Sequence, residues 1–295
     1  MPPLAPPTFL ERVVHHLRAD DEFRLVVDAF TVSFTIVSIV SSFFDSYSFG
    51  LIAAAITHFL AYFWFAKRRL YINKAVLMPA VFLGCAVAVN LTHSYVHQGE
   101  LYEHLTRYFT FLFMFHFSEF IFTALTNRRS LRPDSFLLNH SVGYWAAASV
   151  SWIEFLVEAH FFPELKNNYR ILWIGTIGCI IGEMFRKLAM IHAGLGFTHR
   201  LAMTKRLDHR LIKDGVYGYM RHPGYFGWFV WAVSTQIILC NPLCCVVYAY
   251  VTWHFFSSRI YDEERDLINF FGEQYVEYQQ KVWVGVPFVT GYQRP

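Results

Sequence analysis

Long apolar runs separated by short polar segments dominate this chain. An apolar helix needs about 20 residues to cross a bilayer. Six runs come close to that length: Leu25–Phe44, Phe49–Ala66, Val76–Tyr95, Leu105–Thr126, His140–Phe161 and Ile171–His192. Two shorter runs, Gly224–Cys240 and Leu243–Ser258, are separated only by Asn241-Pro242, which is a turn signal. The pattern predicts an all-α integral membrane protein with about eight transmembrane helices, the last two forming a helical hairpin.

Basic residues collect in every second segment between these predicted spans. They cluster in the N-terminal segment, after the second, fourth and sixth spans, and in the C-terminal tail. The intervening segments 45–48, 96–104 and 241–242 contain no Lys or Arg, and the segment 163–170 contains two. Cytosolic loops of membrane proteins carry an excess of basic residues. Both termini and the polar C-terminal region are therefore predicted to be cytosolic.

The composition agrees with a membrane protein and argues against several other classes. Of the 295 residues 55% are hydrophobic and only 16% are charged, compared with about 25% charged residues in globular proteins. A net charge of +3 argues against a nucleic-acid partner. The five cysteines all lie in apolar runs, which predicts neither a disulfide framework nor a zinc site.

The segment from His209 to Trp228 concentrates polar and aromatic residues beside the predicted hairpin. Pro223 biases the preceding residue toward an extended conformation and is a good first residue for a helix. Arg221-His222 is therefore predicted to lie on an irregular turn, where free backbone N–H groups can bind polar ligand atoms. The nearby tyrosines offer aromatic faces to a cationic ligand. An ordinary loop carrying interfacial aromatic residues explains the same composition.

Charged residues next to the predicted spans have two interpretations. Arg259 and Glu263 are four residues apart and share one helical face, as in a surface salt bridge. In a binding site, however, the Arg could hold a carboxylate bidentately and the Glu could face an ammonium or a hydroxyl. Arg186 at the end of the sixth span either extends to the interface or contributes to the same site. Ionisable residues in or near the spans are predicted to pair within the bundle or to line a cavity: Glu119, Glu154, Glu158 and Glu183.

His93 and His97 have the spacing of metal ligands, and His116 and Glu119 are three residues apart. The first pair falls on the predicted non-cytosolic side. Because a membrane di-iron enzyme would need several such boxes on the cytosolic side, packing is the favoured interpretation and no metal site is predicted.

The string R-H-P-G-Y-F-G at Arg221–Gly227, together with R-I-Y-D-E-E-R-D-L at Arg259–Leu267, resembles isoprenylcysteine carboxyl methyltransferases. The resemblance covers roughly Ile171–Pro287. It implies methyl esterification, with S-adenosylmethionine, of the C-terminal carboxylate of prenylated cysteine in CaaX proteins. It also implies an endoplasmic reticulum membrane location, N-terminal spans at 1–170 and a catalytic region at 171–295.

The resemblance also implies roles for single residues. Arg259, assisted by Arg186, would face the prenylcysteine carboxylate, and Trp253 would form a wall of the site. Glu263 and Glu264 complete the implied catalytic group. The implied cofactor contacts are Ala202, His209, Arg210, Leu211, Ile212, Tyr217, Arg221, His222, Pro223, Gly224, Tyr225 and Glu263. Position 202 departs from the family, which has a polar side chain there.

Three other functions stay open at this point. A phospholipid N-methyltransferase shares similar motifs, but it has fewer spans and an amine nucleophile that needs no arginine pair. A sterol reductase with a related C-terminal hairpin would use NADPH and need a basic cluster for its 2′-phosphate. A transporter predicts inverted repeats and broken helices at the bilayer midplane, whereas the charged residues here gather at one end of the spans.

Overall fold

A computed structural model describes residues 8–44, 46–67, 74–138, 141–199 and 210–294. These residues form eleven helices: α1 Phe9–Ala19, α2 Asp21–Phe44, α3 Tyr47–Lys67, α4 Lys74–Val96, α5 Glu103–Thr126, α6 Val142–Phe161, α7 Pro163–Lys166, α8 Tyr169–Ala193, α9 Pro223–Ile238, α10 Pro242–Phe271 and α11 Glu273–Lys281. Four short 3-10 turns connect some of them. The described ranges contain no β-strand and only one isolated bridge, between Met220 and Trp283. The all-α prediction is confirmed for this part of the chain.

Each of the eight predicted spans coincides with a helix. Four of these helices, α2, α3, α4 and α5, are long and apolar enough to cross a membrane. The remaining four are shorter or more polar. Helix α9 has 16 residues, and α8 carries charged side chains within its length. The count of eight spans therefore stays a prediction, while the membrane character of the chain is supported by the four apolar helices.

The chain forms two compact units, Met1–His140 and Ser141–Pro295. In the first unit, α2, α4 and α5 pack around a core that includes Val26, Leu83 and Phe120. The start of α1 is fixed by a capping box, a pair of reciprocal hydrogen bonds at a helix N-terminus, between Thr8 and Glu11. The predicted boundary at residue 170 separates N-terminal spans from a catalytic region by function. It stays a prediction.

The histidines with metal-like spacing have packing contacts in the first unit. The rings of His93 and His97 lie 4.2 Å apart. Nδ1 of His116 lies 2.8 Å from the carbonyl oxygen of Phe136. These contacts agree with the packing interpretation.

In the second unit, glycines bring the backbones of α8 and α9 into contact. A Cβ atom added at Gly175 would lie 2.5 Å from the backbone nitrogen of Ile238. At Gly182 it would lie 2.6 Å from the carbonyl oxygen of Gly227, and at Gly227 2.6 Å from the backbone nitrogen of Arg186. Small residues at such positions allow close helix packing in membranes. The contact holds Arg186 next to the first turns of α9.

The turn between α9 and α10 confirms the predicted hairpin, and a fully buried lysine stabilises it. Nζ of Lys166 donates to the carbonyl oxygens of Leu239 and Cys240, each at 2.9 Å, and to Oδ1 of Asn241 at 2.7 Å. It also lies 2.6 Å from Oε2 of Glu158. A cation at the C-terminal end of a helix interacts favourably with the helix dipole, so Lys166 caps α9.

The start of α10 has the complementary cap. The carboxylate of Glu154 accepts hydrogen bonds from the backbone N–H groups of Leu243 at 2.8 Å and Cys244 at 2.7 Å. Glu183 pairs with Lys187 at 3.3 Å within α8. Of the two arrangements predicted for these carboxylates, pairing or lining a cavity, these contacts are of the first kind: Glu158 and Glu183 each contact a lysine, and Glu154 contacts backbone groups.

Candidate active site

Helix α10 carries the predicted charged cluster out of the apolar hairpin without a break. The predicted span ends at Ser258, but the helix continues to Phe271 and has 30 residues. Arg259 and Glu263 therefore lie one turn apart on a continuous helix, as the sequence predicted. The turn at Arg221-His222 and the start of α9 at Pro223 lie beside this polar half of α10, which brings the two motifs together.

Glu264 is the centre of a buried polar network. Its side chain is 0% exposed. Oε1 accepts from Nε of Arg221 at 2.8 Å and from the Tyr275 hydroxyl at 3.3 Å, and lies 3.0 Å from Nε2 of His222. Oε2 accepts from the amide of Gln279 at 2.9 Å. A buried carboxylate is tolerated when its oxygens are satisfied in this way.

These contacts also set the protonation state of Glu264. Burial alone would raise the pKa of its carboxyl group. The hydrogen bond and charge of His222, together with the charge of Arg221, outweigh that effect and lower the pKa below its ordinary value of 4.5. Burial and the neighbouring Glu264 raise the pKa of Tyr275 well above its ordinary value, so its hydroxyl keeps the proton that it donates.

Arg221 ties the same network to the C-terminal segment. Nη1 donates to the carbonyl oxygen of Gln279 at 3.0 Å and to that of Val282. The backbone N–H groups of Arg221 and His222 donate to the carbonyl oxygens of Trp283 at 2.8 Å and Val284 at 3.0 Å. The Arg221 side chain thus contacts protein groups on several sides, and it positions the turn against the tail of the chain.

A second polar group lies on the more open side of α10. The Tyr225 hydroxyl donates to Oε2 of Glu263 and accepts from Nε of Arg259 at 2.9 Å. Nη2 of Arg259 donates to the carbonyl oxygen of His199 at 2.7 Å. The Glu263 side chain is 31% exposed, in contrast to its buried neighbour Glu264. Two consecutive glutamates therefore face different environments, one inside the protein and one toward solvent.

Arg186 joins this region from α8. It is 3% exposed, and its guanidinium lies 5.1 Å from the ring of Phe197 and 4.9 Å from the ring of Trp228. Nη1 donates to the carbonyl oxygen of Gly224 at 3.4 Å. Cation–π contacts of this kind stabilise a buried guanidinium. The side chain predicted to snorkel or to serve a site is thus held inward, beside the first turn of α9.

The remaining predicted residues have varied positions. Trp253 donates from its indole nitrogen to the carbonyl oxygen of Pro287 at 2.8 Å, so it anchors the segment that follows α11. The Tyr217 hydroxyl lies 3.4 Å from the Ala189 carbonyl oxygen. Arg210 is exposed, whereas Leu211 packs against a cluster built on Tyr275 and Tyr278. Ile212 is half-buried, Pro223 begins α9, and Ala202 and His209 lie outside the described residues.

The sequence interpretation missed the residues of α11 that complete the Glu264 network. Tyr275, Tyr278 and Gln279 share one face of α11, at the i, i+3 and i+4 spacing of a helix. That periodicity was readable in the sequence. Gly291 was also missed: a Cβ atom there would lie 1.8 Å from Oε2 of Glu264, and nothing in the sequence around it indicates this contact.

The arrangement can bind two oppositely charged ligands side by side. The guanidinium groups of Arg186 and Arg259 suit a carboxylate. Glu263 and the rings of the tyrosines suit a cation such as a sulfonium or an ammonium. The buried Glu264 network behind them fixes the backbone of the turn and of α10. Such a site can place an anionic nucleophile next to a cationic group donor.

Comparison with known proteins matches this region and most of the chain. The sequence model of the Isoprenylcysteine carboxyl methyltransferase (ICMT) family matches residues 173–269. A protein-S-isoprenylcysteine O-methyltransferase from Xenopus laevis is 42% identical over 283 residues, covering 92% of this chain and 96% of that protein. One from Tribolium castaneum is 38% identical, covering 91% and 97%. A solved structure of the eukaryotic intramembrane Ras methyltransferase ICMT is similar with a TM-score of 0.86 and 36% identity, covering 92% and 99%.

Proposed function

This chain belongs to the isoprenylcysteine carboxyl methyltransferase family, and we propose that it methylates the C-terminal carboxylate of prenylated cysteine in CaaX-processed proteins. S-adenosylmethionine is the proposed methyl donor. The observation that carries the proposal is the joint placement of Arg259 and Glu263 around the Tyr225 hydroxyl, with the buried Arg186 hydrogen-bonded to the preceding residue, Gly224. That placement offers cationic groups to a carboxylate and an anionic group to a cationic donor.

The reaction needs little acid–base chemistry from the protein. When bound, S-adenosylmethionine supplies a methyl group on a sulfonium. A C-terminal carboxylate is already ionised near pH 7, so no general base is required. The contribution of this chain is to orient the two charged reactants and to exclude water from them.

Each residue of the site has a proposed role on this basis. Arg259 holds the substrate carboxylate, and Arg186 assists from α8. Glu263 and the ring of Tyr217 face the cationic donor. Glu264 and its buried partners hold the turn in position. The other cofactor contacts keep the roles that the resemblance implies, and two of them, Ala202 and His209, lie outside the described residues. Trp253 supports the site by anchoring the segment after α11.

The proposed setting is the endoplasmic reticulum membrane. Eight spans, with both termini and the catalytic region 171–295 in the cytosol, follow from the alternation of basic segments. The proposed partners are the prenylated C-terminus of a protein substrate and the surrounding membrane lipid, without nucleic acid. An isoprenoid chain is apolar, so a site at the end of membrane helices lies where such a substrate is available.

The test is a methyl-transfer assay with purified protein in lipid nanodiscs. We expect transfer from S-adenosylmethionine to a farnesylated cysteine with a free carboxylate, and no transfer to phosphatidylethanolamine. Arg259→Lys keeps the charge but loses the planar fork, and we expect it to lower turnover by on the order of 10²-fold, the scale of a misplaced reactant. Methylation of the phospholipid amine, or binding of NADPH in place of S-adenosylmethionine, would contradict the proposal.

A further inference from the structure

The hydroxyl of Tyr225 lies between two side chains of opposite charge. It donates to Oε2 of Glu263 and accepts from Nε of Arg259. The guanidinium carbon of Arg259 lies 5.6 Å from the centre of the Tyr225 ring. Among the described residues, Arg259 and Glu263 contact the same hydroxyl and form no direct ion pair with each other. Oε2 of Glu263 also lies 4.0 Å from Nδ1 of His222.

The position of that hydroxyl is fixed by the tyrosine ring. The ring stacks on His222, with centroids 5.5 Å apart and planes at 7°, and on Phe256, at 5.0 Å and 23°. His222 is held in turn by Glu264 at 3.0 Å. The ring therefore does not depend on Arg259 or Glu263 for its orientation, and a phenylalanine at position 225 would keep its place.

Without the hydroxyl, the two charged side chains are free to pair directly. They are four residues apart on one helix, a spacing at which Arg and Glu attract each other. A direct pair in this half-buried setting would leave each charge satisfied by the other. The arginine would then be less available to an acidic ligand, and the glutamate less available to a cationic one.

We propose that Tyr225 is a positioning residue that keeps Arg259 and Glu263 from pairing, so that each can serve its own ligand. The inference rests on the proposed function, in which Arg259 faces the substrate carboxylate and Glu263 faces the cationic methyl donor. It assigns to the Tyr225 hydroxyl a separating role, in addition to any contact that its ring makes with the methyl donor.

The experiment compares two ligands that differ in the charge of the carboxyl group and by one methyl group. Dissociation constants are measured by titration of the full-length protein in nanodiscs with farnesylcysteine and with its methyl ester, which lacks the carboxylate. In the natural protein we expect the acid to bind more tightly than the ester. Tyr225→Phe should reduce that preference by about two- to fivefold, the scale of a partly exposed ion pair, because Glu263 then occupies Arg259. Binding of the ester should stay nearly unchanged.

The double variant distinguishes separation from simple contact. If Glu263 traps Arg259 in Tyr225→Phe, then adding Glu263→Gln should restore most of the preference for the acid. The same Glu263→Gln change in the natural protein should leave that preference near its original value. A preference that does not fall in Tyr225→Phe, or that falls further in the double variant, would overturn the separating role.

Two controls complete the design. Tyr261→Phe removes a hydroxyl from a half-exposed tyrosine between the two charged positions of α10, and it should leave the acid-to-ester preference unchanged. Methyl transfer to farnesylcysteine by the natural protein is measured separately. Failure of that transfer contradicts the proposed function, whereas the binding preference tests the role of Tyr225 without any turnover.

Discussion

Glu263 and Glu264 are neighbours in the sequence with different surroundings, and the contrast leads to a matched pair of predictions. Glu264→Ala should leave Arg221 as a buried charge without its carboxylate, a change that costs roughly 3–5 kcal/mol. Glu263→Ala removes a partly exposed carboxylate and should cost about 1 kcal/mol or less. Thermal unfolding of both variants in the same detergent measures the difference. Equal losses of stability in the two variants would contradict the placement of Glu264 at the centre of the buried polar network.

Acidic pH should weaken the same network. Because the pKa of Glu264 is lowered in the folded protein, its contribution to stability is complete above the unfolded value near 4.5 and is lost as the pH falls through the lower folded pKa. The stability difference between the natural protein and Glu264→Gln should therefore be constant at neutral pH and shrink below about pH 4.5. Unfolding measured from pH 7 to pH 3 tests this. A difference that grows in acid would show that the pKa is raised instead.

The contact of α8 with α9 gives a prediction at the scale of elements. In Gly182→Ala the added methyl group would lie 2.6 Å from the Gly227 carbonyl oxygen, and such overpacking costs roughly 1–3 kcal/mol. We also expect a loss of methyl transfer, because Arg186 lies one turn further along α8. The matched control is Gly143→Ala in α6, where the nearest side-chain or neighbouring-helix atom is 3.9 Å away. The control should be neutral or slightly stabilising.

The helices were largely predictable from the sequence, and their ends were less so. The apolar runs placed eight helices because the requirement for a span is a simple length of apolar residues. The predicted span ended at Ser258, and helix α10 continues beyond it to Phe271, because polar residues end an apolar span but do not end a helix. Helix α1 was missed, although Thr8 and Glu11 have the capping-box spacing.

The site residues that belong to a sequence motif could be predicted. Those whose role depends on tertiary packing could not. The motif residues His222, Tyr225 and Glu263 come together as expected. The sequence could not predict that Glu264 is buried and Glu263 partly exposed, because this depends on which face of α10 the C-terminal segment covers. Gln279 and Gly291 contact Glu264 from that tail, over separations of 15 and 27 residues along the chain.

For the whole molecule, the alternation of basic segments predicts that both termini lie in the cytosol. A protease-sensitive tag is placed at the N-terminus in one protein and at the C-terminus in another. In sealed microsomes that keep the cytosolic face outward, added protease should remove both tags before any detergent is present. A tag that is cleaved only after the membrane is dissolved would show that its terminus is lumenal, and protection of one tag alone would show that the number of spans is odd.

In the predicted topology, helix α10 also sets the height of the site relative to the membrane. Its first turn is capped by Glu154, and Arg259 lies 16 residues beyond Leu243, which is about 24 Å along a straight helix at 1.5 Å per residue. One rigid rod thus connects the far end of the hairpin to the residue proposed to hold the substrate carboxylate. A bilayer thinner than this span favours tilt of such helices, and a thicker one is thinned locally around them. The length of α10 therefore fixes the distance between the hairpin turn and Arg259. The catalytic rate is expected to depend on the acyl-chain length of the surrounding lipids.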